Sequence, residues 1–430
     1  MSKTKEFVYN EKKKYNDRNS KKFLLICHMF KTITSIFIST FLIGYIYTFS
    51  GNIFDYIFDV AVFNIFVYLS MMIFYIIFSI FVDKTNRVIF YRISMVTTAI
   101  LVIIIILFGE QLAKLLIIAG ILHGLSEGLY YSSYNVIKEE MVGKSSIEGF
   151  VTATHIVSEL VKTICPLLLG LIIDITTFSQ TAFIVFAVCA IQFGLSFGIK
   201  CQKPKDSHYS LKEYGDQLKK SPVRKELKFL YNICSVHGVT SLTSTLINVY
   251  IMMHFGSNFS LGAISAVYAA VAIVSLLLLK KFTTASNRKP VFITFTSIII
   301  LAGILFILLP SKVTLITLNI VISLTSILEA DLLEKYRFSI LKSAGLYDQI
   351  AEHQTCIENR FNISRTLSFV FLLLVSLIRN NAILGIFVIT ILTILSSVQI
   401  LLLFFEKKFV INREQDSTPK TIIEENKTNN

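Results

Sequence analysis

Several side chains in this sequence have types and spacings suited to proton or ion chemistry. His123 and Glu127 stand four residues apart in HGLSEGLYYSSYN (123–135), which places them one turn apart on one helical face. Tyr131 continues that face. His155, Glu159 and Lys162 repeat the arrangement at spacings of four and three. His237 and the pair Glu329 and Asp331 are further ionisable groups within apolar surroundings. A carboxylate at mid-membrane costs about 2.5 to 3.5 kcal/mol on insertion scales, so such an acid is expected to be protonated, paired or hydrated. An imidazole beside it makes a unit able to take up and release a proton near neutral pH, which is what proton coupling requires. Structural roles stand beside these: Glu127 can hydrogen-bond a neighbouring helix, Glu159 and Lys162 can close an intrahelical ion pair, His237 can be a packing histidine, Glu329 and Asp331, near the cytoplasmic end of their helix, can be interfacial, and Arg365 can either neutralise an anion or snorkel to the membrane surface.

The elements that must position these groups are membrane helices. Of 430 residues, 54% are hydrophobic and 16% charged, and the mean hydropathy is +0.67, beyond ordinary soluble domains. Apolar runs long enough to cross a hydrocarbon core of about 30 Å recur along the chain. They predict twelve helices over 22–48, 53–82, 88–108, 112–137, 148–173, 180–199, 229–253, 259–280, 290–309, 313–335, 355–378 and 383–405. The fold class expected is all-α, a polytopic protein of two six-helix pseudo-repeats.

The formal charge of +13 would suggest nucleic acid in a soluble protein, but its placement reports orientation. With the N-terminus inside, nearly all basic residues fall on the cytoplasmic side, while the outer loops hold only Lys114, Lys312 and Arg379. That bias satisfies the positive-inside rule with both termini cytoplasmic. No nucleic acid partner is expected. The six cysteines show no C-x-x-C spacing and imply neither a disulfide framework nor a metal site. The first 21 residues lack a cleavable signal pattern. Residues 412–430 read as a disordered tail.

The polar segment 201–228 splits the chain into an N-terminal bundle (22–200) and a C-terminal bundle (229–405), with 1–21 and 406–430 as cytoplasmic ends. FVDKTNR (81–87) and FTTASNR (282–288) share a Phe, four residues, then Asn-Arg, each after the second helix of its half. Polar residues concentrate in helices 1, 4, 7 and 10, which are therefore expected to line a central cavity. Helices 3, 6, 9 and 12 are nearly all apolar and are expected to face lipid. Within helix 4, Gly120, Gly124, Gly128 and Ser132 form a stripe of small residues that invites close helix packing.

With these features the chain resembles the major facilitator superfamily over roughly residues 22–405. The family signature after the second helix is Gly-x-x-x-Asp-[Arg/Lys]-x-Gly-[Arg/Lys]-[Arg/Lys]. Here SIFVDKTNRV (79–88) supplies Asp83, Lys84 and Arg87 in register, with Ser79 and Asn86 at the glycine positions and Val88 at the second base. Asn tolerates the left-handed backbone that Gly provides. The resemblance implies a gating role for Asp83, Lys84, Asn86 and Arg87. A Gly-Pro-rich exporter segment in the fifth helix survives only as Pro166 and Gly170 of CPLLLG (165–170). Where drug antiporters of the family often carry a helix-4 arginine, this chain has Gly124.

The expected function is secondary active transport of a small organic solute by alternating access, coupled to protons through Glu127 or Glu159, with efflux preferred. The alternatives are a lipid-linked glycan flippase and a multispan enzyme such as an acyltransferase. No GxxxxGK[ST] loop is present, so ATP use by this chain is not expected. The reading implies no cofactor and no metal. It places a monomer in the plasma membrane, with the solute, protons and the bilayer as its partners.

Overall fold

The computed structural model describes residues 2–82, 86–142, 147–200, 209–282, 288–346 and 349–405. Asp83 and Lys84 lie outside the described residues, as do 283–287 and the tail beyond 405. Every described element is a helix, as expected of a chain whose backbone polar groups must be satisfied within each segment in lipid.

The N-terminal half comprises α1, with membrane-length portion Asn19–Phe49, and α2 (Ile53–Val82), α3 (Arg87–Phe108), α4 (Leu116–Val142), α5 (Ile147–Ile175) and α6 (Phe178–Leu195). A short amphipathic helix, α7 (Leu211–Lys220), precedes the C-terminal half. That half contains α8 (Arg224–His237), α9 (Thr240–Phe255), α10 (Asn258–Phe282), α11 (Arg288–Leu308), α12 (Lys312–Ser343), α13 (Ile350–Ile378) and α14 (Asn381–Phe405).

Among the described residues, eleven helices are individually long and apolar enough to span a membrane. The crossing predicted as one helix over 229–253 is instead two pieces, α8 and α9, interrupted at Gly238 and Val239. Two causes are local. The run VTSLTST (239–245) is rich in β-branched and hydroxyl side chains that compete poorly for helix. Gly238 is also pressed against α13, where a Cβ would lie 2.8 Å from the Phe361 carbonyl oxygen. α1 carries a related irregularity, a π-helical turn at Phe37–Phe41, a feature often found at functional sites.

The halves meet along two seams, α2 against α13 and α5 against α10, each pairing the second crossing of one half with the fifth of the other. At the second seam the backbones nearly touch: a Cβ on Gly262 would lie 2.1 Å from the Pro166 carbonyl oxygen, and one on Gly170 2.4 Å from that of Asn258. α3, α6, α11 and α14 turn large apolar side chains outward, including Leu107, Phe183, Leu301 and Phe404.

Inside the N-terminal half the glycine stripe of α4 lies against α2. A Cβ would stand 2.7 Å from the Phe63 carbonyl oxygen at Gly120, 2.2 Å from that of Val67 at Gly124 and 3.1 Å from that of Met71 at Gly128. Ser132 ends the stripe, buried, with its hydroxyl donating to the Leu129 carbonyl at 3.1 Å. Direct backbone apposition is how helices gain dispersion contacts in lipid, where the hydrophobic effect between them is absent. Gly124→Val is expected to destabilise the protein by about 3 kcal/mol or more, through overpacking against backbone that cannot move aside. Gly194→Ala, where a Cβ meets nothing within 4 Å, is expected to be neutral or stabilising by up to about 1 kcal/mol. Thermal unfolding of both purified variants checks the contrast, and equal midpoints would remove the stripe as the packing determinant.

Candidate functional site

A cavity of about 400 Å³ lies between the halves. Its walls come from α1 (Thr32, Ser35, Ser39, Thr40), α5 (Lys162, Pro166), α8 and α9 (His237, Thr240, Ser241, Thr243, Ser244, Ile247, Asn248), α10 (Ser265, Tyr268) and α12 (Asn319, Ser326, Glu329), with Ile299, Leu395 and Gln399 from α11 and α14. Both backbone irregularities contribute: Ser39 and Thr40 ride on the π turn of α1, and His237, Thr240 and Ser241 flank the break between α8 and α9. Pro166 acts similarly in α5, since it has no N–H to give to the Lys162 carbonyl one turn back. Irregular helix is tolerated at membrane depth where it lines such a cavity.

Two ion pairs reach the cavity. Lys162 Nζ lies 2.6 Å from Glu159 Oε1, with 47% of the lysine side chain exposed to the cavity and 10% of the glutamate. His237 Nδ1 lies 2.9 Å from Glu329 Oε1, with Glu329 only 3% exposed. Lys162 lies at the middle of the span Gly149–Ile175, and Glu329 lies past the middle of the span Lys312–Glu334, toward its Glu334 end. Tyr268 donates to the Ser326 hydroxyl at 3.2 Å beside them.

Glu127 and His123, expected to confront the cavity, face another helix in this structure. Glu127 Oε1 lies 2.6 Å from Lys31 Nζ of α1, and both side chains are less than 10% exposed. His123 Nδ1 is 3.9 Å from the same carboxylate, too far for a hydrogen bond, and its ring stacks at 6.3 Å on Phe63. Helix 4 therefore contributes no side chain to the cavity wall, and α5 and α10 stand where it was expected. Tyr131 packs edge-on against Tyr130. Tyr130 hydrogen-bonds His28 Nδ1 at 2.8 Å, His28 Nε2 reaches Ser158 at 3.1 Å, and the Tyr134 ring stacks on His28 at 4.8 Å. At spacings of three and four, His28, Lys31, Thr32 and Ser35 share one side of α1. His28 and Lys31 on that side meet α4, while Thr32 and Ser35 open on the cavity.

His155 reaches across the halves rather than toward Glu159. Its Nε2 lies 2.8 Å from Glu334 Oε2 of α12, whose other oxygen takes Lys138 Nζ of α4 at 2.7 Å. Thr152 donates to Asp331 at 3.3 Å at the same level. Asn86 caps α3 by accepting from the Val88 N–H at 3.1 Å, and Arg87 beside it is buried. At the opposite face, Asp174 at the end of α5 accepts from the backbone N–H groups of Asn258 (3.2 Å) and Phe259 (2.9 Å) at the start of α10. Asp55 pairs there with Arg379 at 2.6 Å. Arg365 donates to Asn362 at 3.0 Å and lies over the Tyr68 ring of α2.

Sequence reasoning missed Lys31 as the partner of Glu127, and missed Lys138, Glu334, Asp55 and Asp174 altogether. Lys31 carried a usable signal, a lone cation in an apolar run that must find an acid. Glu334 and Lys138 read as ordinary charged helix ends, and only the packing of α4 and α5 on α12 gives them each other.

These features define a polytopic membrane protein of two helical bundles around a solute-sized polar cavity. The sequence profile of the Major Facilitator Superfamily matches residues 24–332. The chain belongs to that superfamily and is a multi-pass membrane transporter. Among curated proteins it is similar to the uncharacterized protein YqgE of Bacillus subtilis (strain 168), 23% identical over 296 residues, a match covering 66% of each chain. The matched stretch thus spans just under two thirds of that relative. Solved structures with this fold include the human organic anion transporter MFSD10 (TETRAN), with TM-score 0.64 at 11% identity over 90% of this chain and 99% of that one. A mutant form of the nucleoside transporter NupG gives 0.62 at 14% identity over 91% and 100%. A POT family transporter in complex with 5-aminolevulinic acid gives 0.65 at 11% identity over 90% and 96%.

Removing one partner of a buried ion pair strands the other at a cost of about 3 to 5 kcal/mol, whereas replacing both with apolar groups is often neutral. Lys31→Met and Glu127→Gln are each expected to lower the unfolding midpoint sharply. The double variant is expected to recover most of the loss. A double-mutant cycle on purified protein reads the coupling, and strictly additive losses would show that the two side chains do not pair.

Proposed function

We propose that this chain is a secondary active transporter that carries a small polar organic solute by alternating access and is driven by a proton gradient. The observation that supports this most is the cavity itself: it lies between two pseudo-equivalent halves, is walled by hydroxyl and amide groups, and holds ionisable pairs. The solutes named for the structural neighbours, an organic anion, a nucleoside and 5-aminolevulinic acid, are all small polar organics of a size suited to such a space.

Coupling is assigned to three buried acids of the spans. Glu329 meets the cavity while bonded to His237, and Glu159 meets it through Lys162. Glu127 stands behind the wall on Lys31. A proton on any of these carboxylates removes the charge that holds its basic partner. The partner is then free to rotate, which links proton uptake to helix rearrangement. The proposed orientation puts the basic loops and both chain ends in the cytoplasm of a plasma-membrane monomer. Export is the proposed direction, on the Pro166 to Gly170 segment that resembles the exporter motif and forms the tight seam with α10.

Proteoliposomes holding the full chain, given an imposed pH gradient and a panel of labelled polar solutes, test the reading. Gradient-dependent flux of at least one solute is expected. Glu329→Gln and Glu127→Gln are each expected to cut gradient-driven accumulation at least tenfold, and Glu127→Gln, whose carboxylate stands behind the cavity wall, is expected to leave solute exchange without a gradient intact in the folded protein. Accumulation at wild-type level in both variants removes these two acids from the coupling. Flux that ignores the gradient altogether removes the proton.

A further inference from the structure

Each half brings one ion pair to the cavity, Lys162 with Glu159 and Glu329 with His237, and among the described lining residues the cation of the first pair and the acid of the second meet the solute space. Lys162 is the lining cation of the N-terminal half, and Glu329 is the lining carboxylate of the C-terminal half, with His237 beside it. Each has hydrogen-bonding capacity beyond the pair it forms. Lys162 directs one N–H to Glu159, and an ammonium has three to give, while nearly half of its side chain is open to the cavity. Glu329 receives His237 on Oε1, and a carboxylate can accept on both oxygens.

Between those poles the wall is of two kinds. Hydroxyl groups such as Ser35, Ser241 and Ser244 offer donors and acceptors without charge, and Ile247, Ile322 and Leu395 offer an apolar patch. The volume of about 400 Å³ admits a molecule of roughly ten to twenty heavy atoms and excludes a lipid.

We infer that the solute is a zwitterion of amino-acid or dipeptide size, whose carboxylate docks on Lys162, whose ammonium docks on Glu329, and whose side chain lies on the apolar patch. This rests on the reading of the cavity as a transport site. A molecule with both charges meets a complementary group at each end and leaves the net charge of the site unchanged on entry. A simple amine or a simple acid meets only one pole and changes the net charge of a low-dielectric space. Because the poles belong to different halves, a zwitterion also bridges them, so it stabilises the conformation in which the halves close on it.

The test uses sets of near-isosteric probes on the full-length protein in detergent and in proteoliposomes. L-Leucine is compared with isopentylamine and 4-methylpentanoate, and L-phenylalanine with phenethylamine and 3-phenylpropionate, with L-leucyl-L-alanine as the larger zwitterion. At least one zwitterion is expected to raise the unfolding midpoint and to exchange across the membrane. Its amine and acid analogues are expected to be at least tenfold weaker in both measurements. Lys162→Met and Glu329→Gln are each expected to lower the affinity for that zwitterion at least tenfold and to narrow its advantage over the analogue that lacks the group matched to the lost pole. If an amine or an acid binds as well as its zwitterion, or if none of the zwitterions binds, the assignment is overturned whether or not the variants fold. The transporter reading fails separately: a zwitterion that binds with the expected dependence on both poles but is never exchanged would keep the site and discard the transport, while gradient-driven flux of some other solute would do the reverse.

Discussion

A charge inside a bilayer has to find its countercharge within the protein, because neither water nor lipid will supply one, and this requirement organises the structure from mid-depth outward. Lys31 on α1 finds Glu127 on α4. Lys162 finds Glu159 one turn earlier on α5. Glu329 on α12 finds His237 at the end of α8. The first and third of these pairs stitch two helices together, so they fix which helix faces which. An isolated ion of this kind would be excluded by several kcal/mol, which makes the pairing a condition of insertion as much as a contribution to stability.

The small residues answer a second requirement, that helices in lipid be held by contact alone. α4 is laid against α2 through Gly120, Gly124 and Gly128, within one half. α5 meets α10 through Gly170 and Gly262, between the halves. The chemistry is the same, but the placement differs. The first contact lies inside one bundle, while the second lies on the seam between the halves, where backbone meets backbone. Asp174 anchors one end of that seam by accepting the first N–H groups of α10, which also meets the positive pole of that helix.

What the sequence disclosed and what it withheld follow the same physics. Apolar run length is a direct consequence of bilayer thickness, so the spans were legible one by one, except where Gly238 and the β-branched run after it interrupt a helix that hydropathy reads as continuous. The stripe on α4 was legible because period four on a helix is a local property, whereas its partner α2 was not. Glu127 shows the limit most sharply. Spacing put His123 and Glu127 on one face, and they share one, but which neighbour that face meets depends on the rotation of α4, and Lys31 lies far from it in the chain. The rule that every third helix carries the polar groups succeeded for α1, for α8 with α9, and for α12. It failed for α4, whose Glu127 and Tyr130 are taken by α1 in its own bundle and whose Lys138 crosses to Glu334, while Lys162 on α5 and Tyr268 on α10 occupy the wall in its place.

Sorting the polar ties by membership yields a pattern that neither sequence nor any single contact reveals. Among the described residues, three ion pairs inside the spans each lie within one half: Lys31 with Glu127, Glu159 with Lys162, His237 with Glu329. The ties at the two faces cross between halves. Lys138 and His155 reach Glu334 on the basic face, and Asp55 reaches Arg379 while Asp174 reaches α10 on the other. Ties within a half survive any rigid rotation of one half on the other, whereas crossing ties have to break on the side that opens. Under the proposed alternating access, the pairs within one half are therefore free to respond to solute and protons without resisting the motion. The crossing ties are placed to set the relative stability of the open states, because the side that opens admits water, which rehydrates the separated charges. The pairs that belong to one bundle thus lie where nothing has to separate, and the crossing contacts lie where the proposed alternating access requires separation.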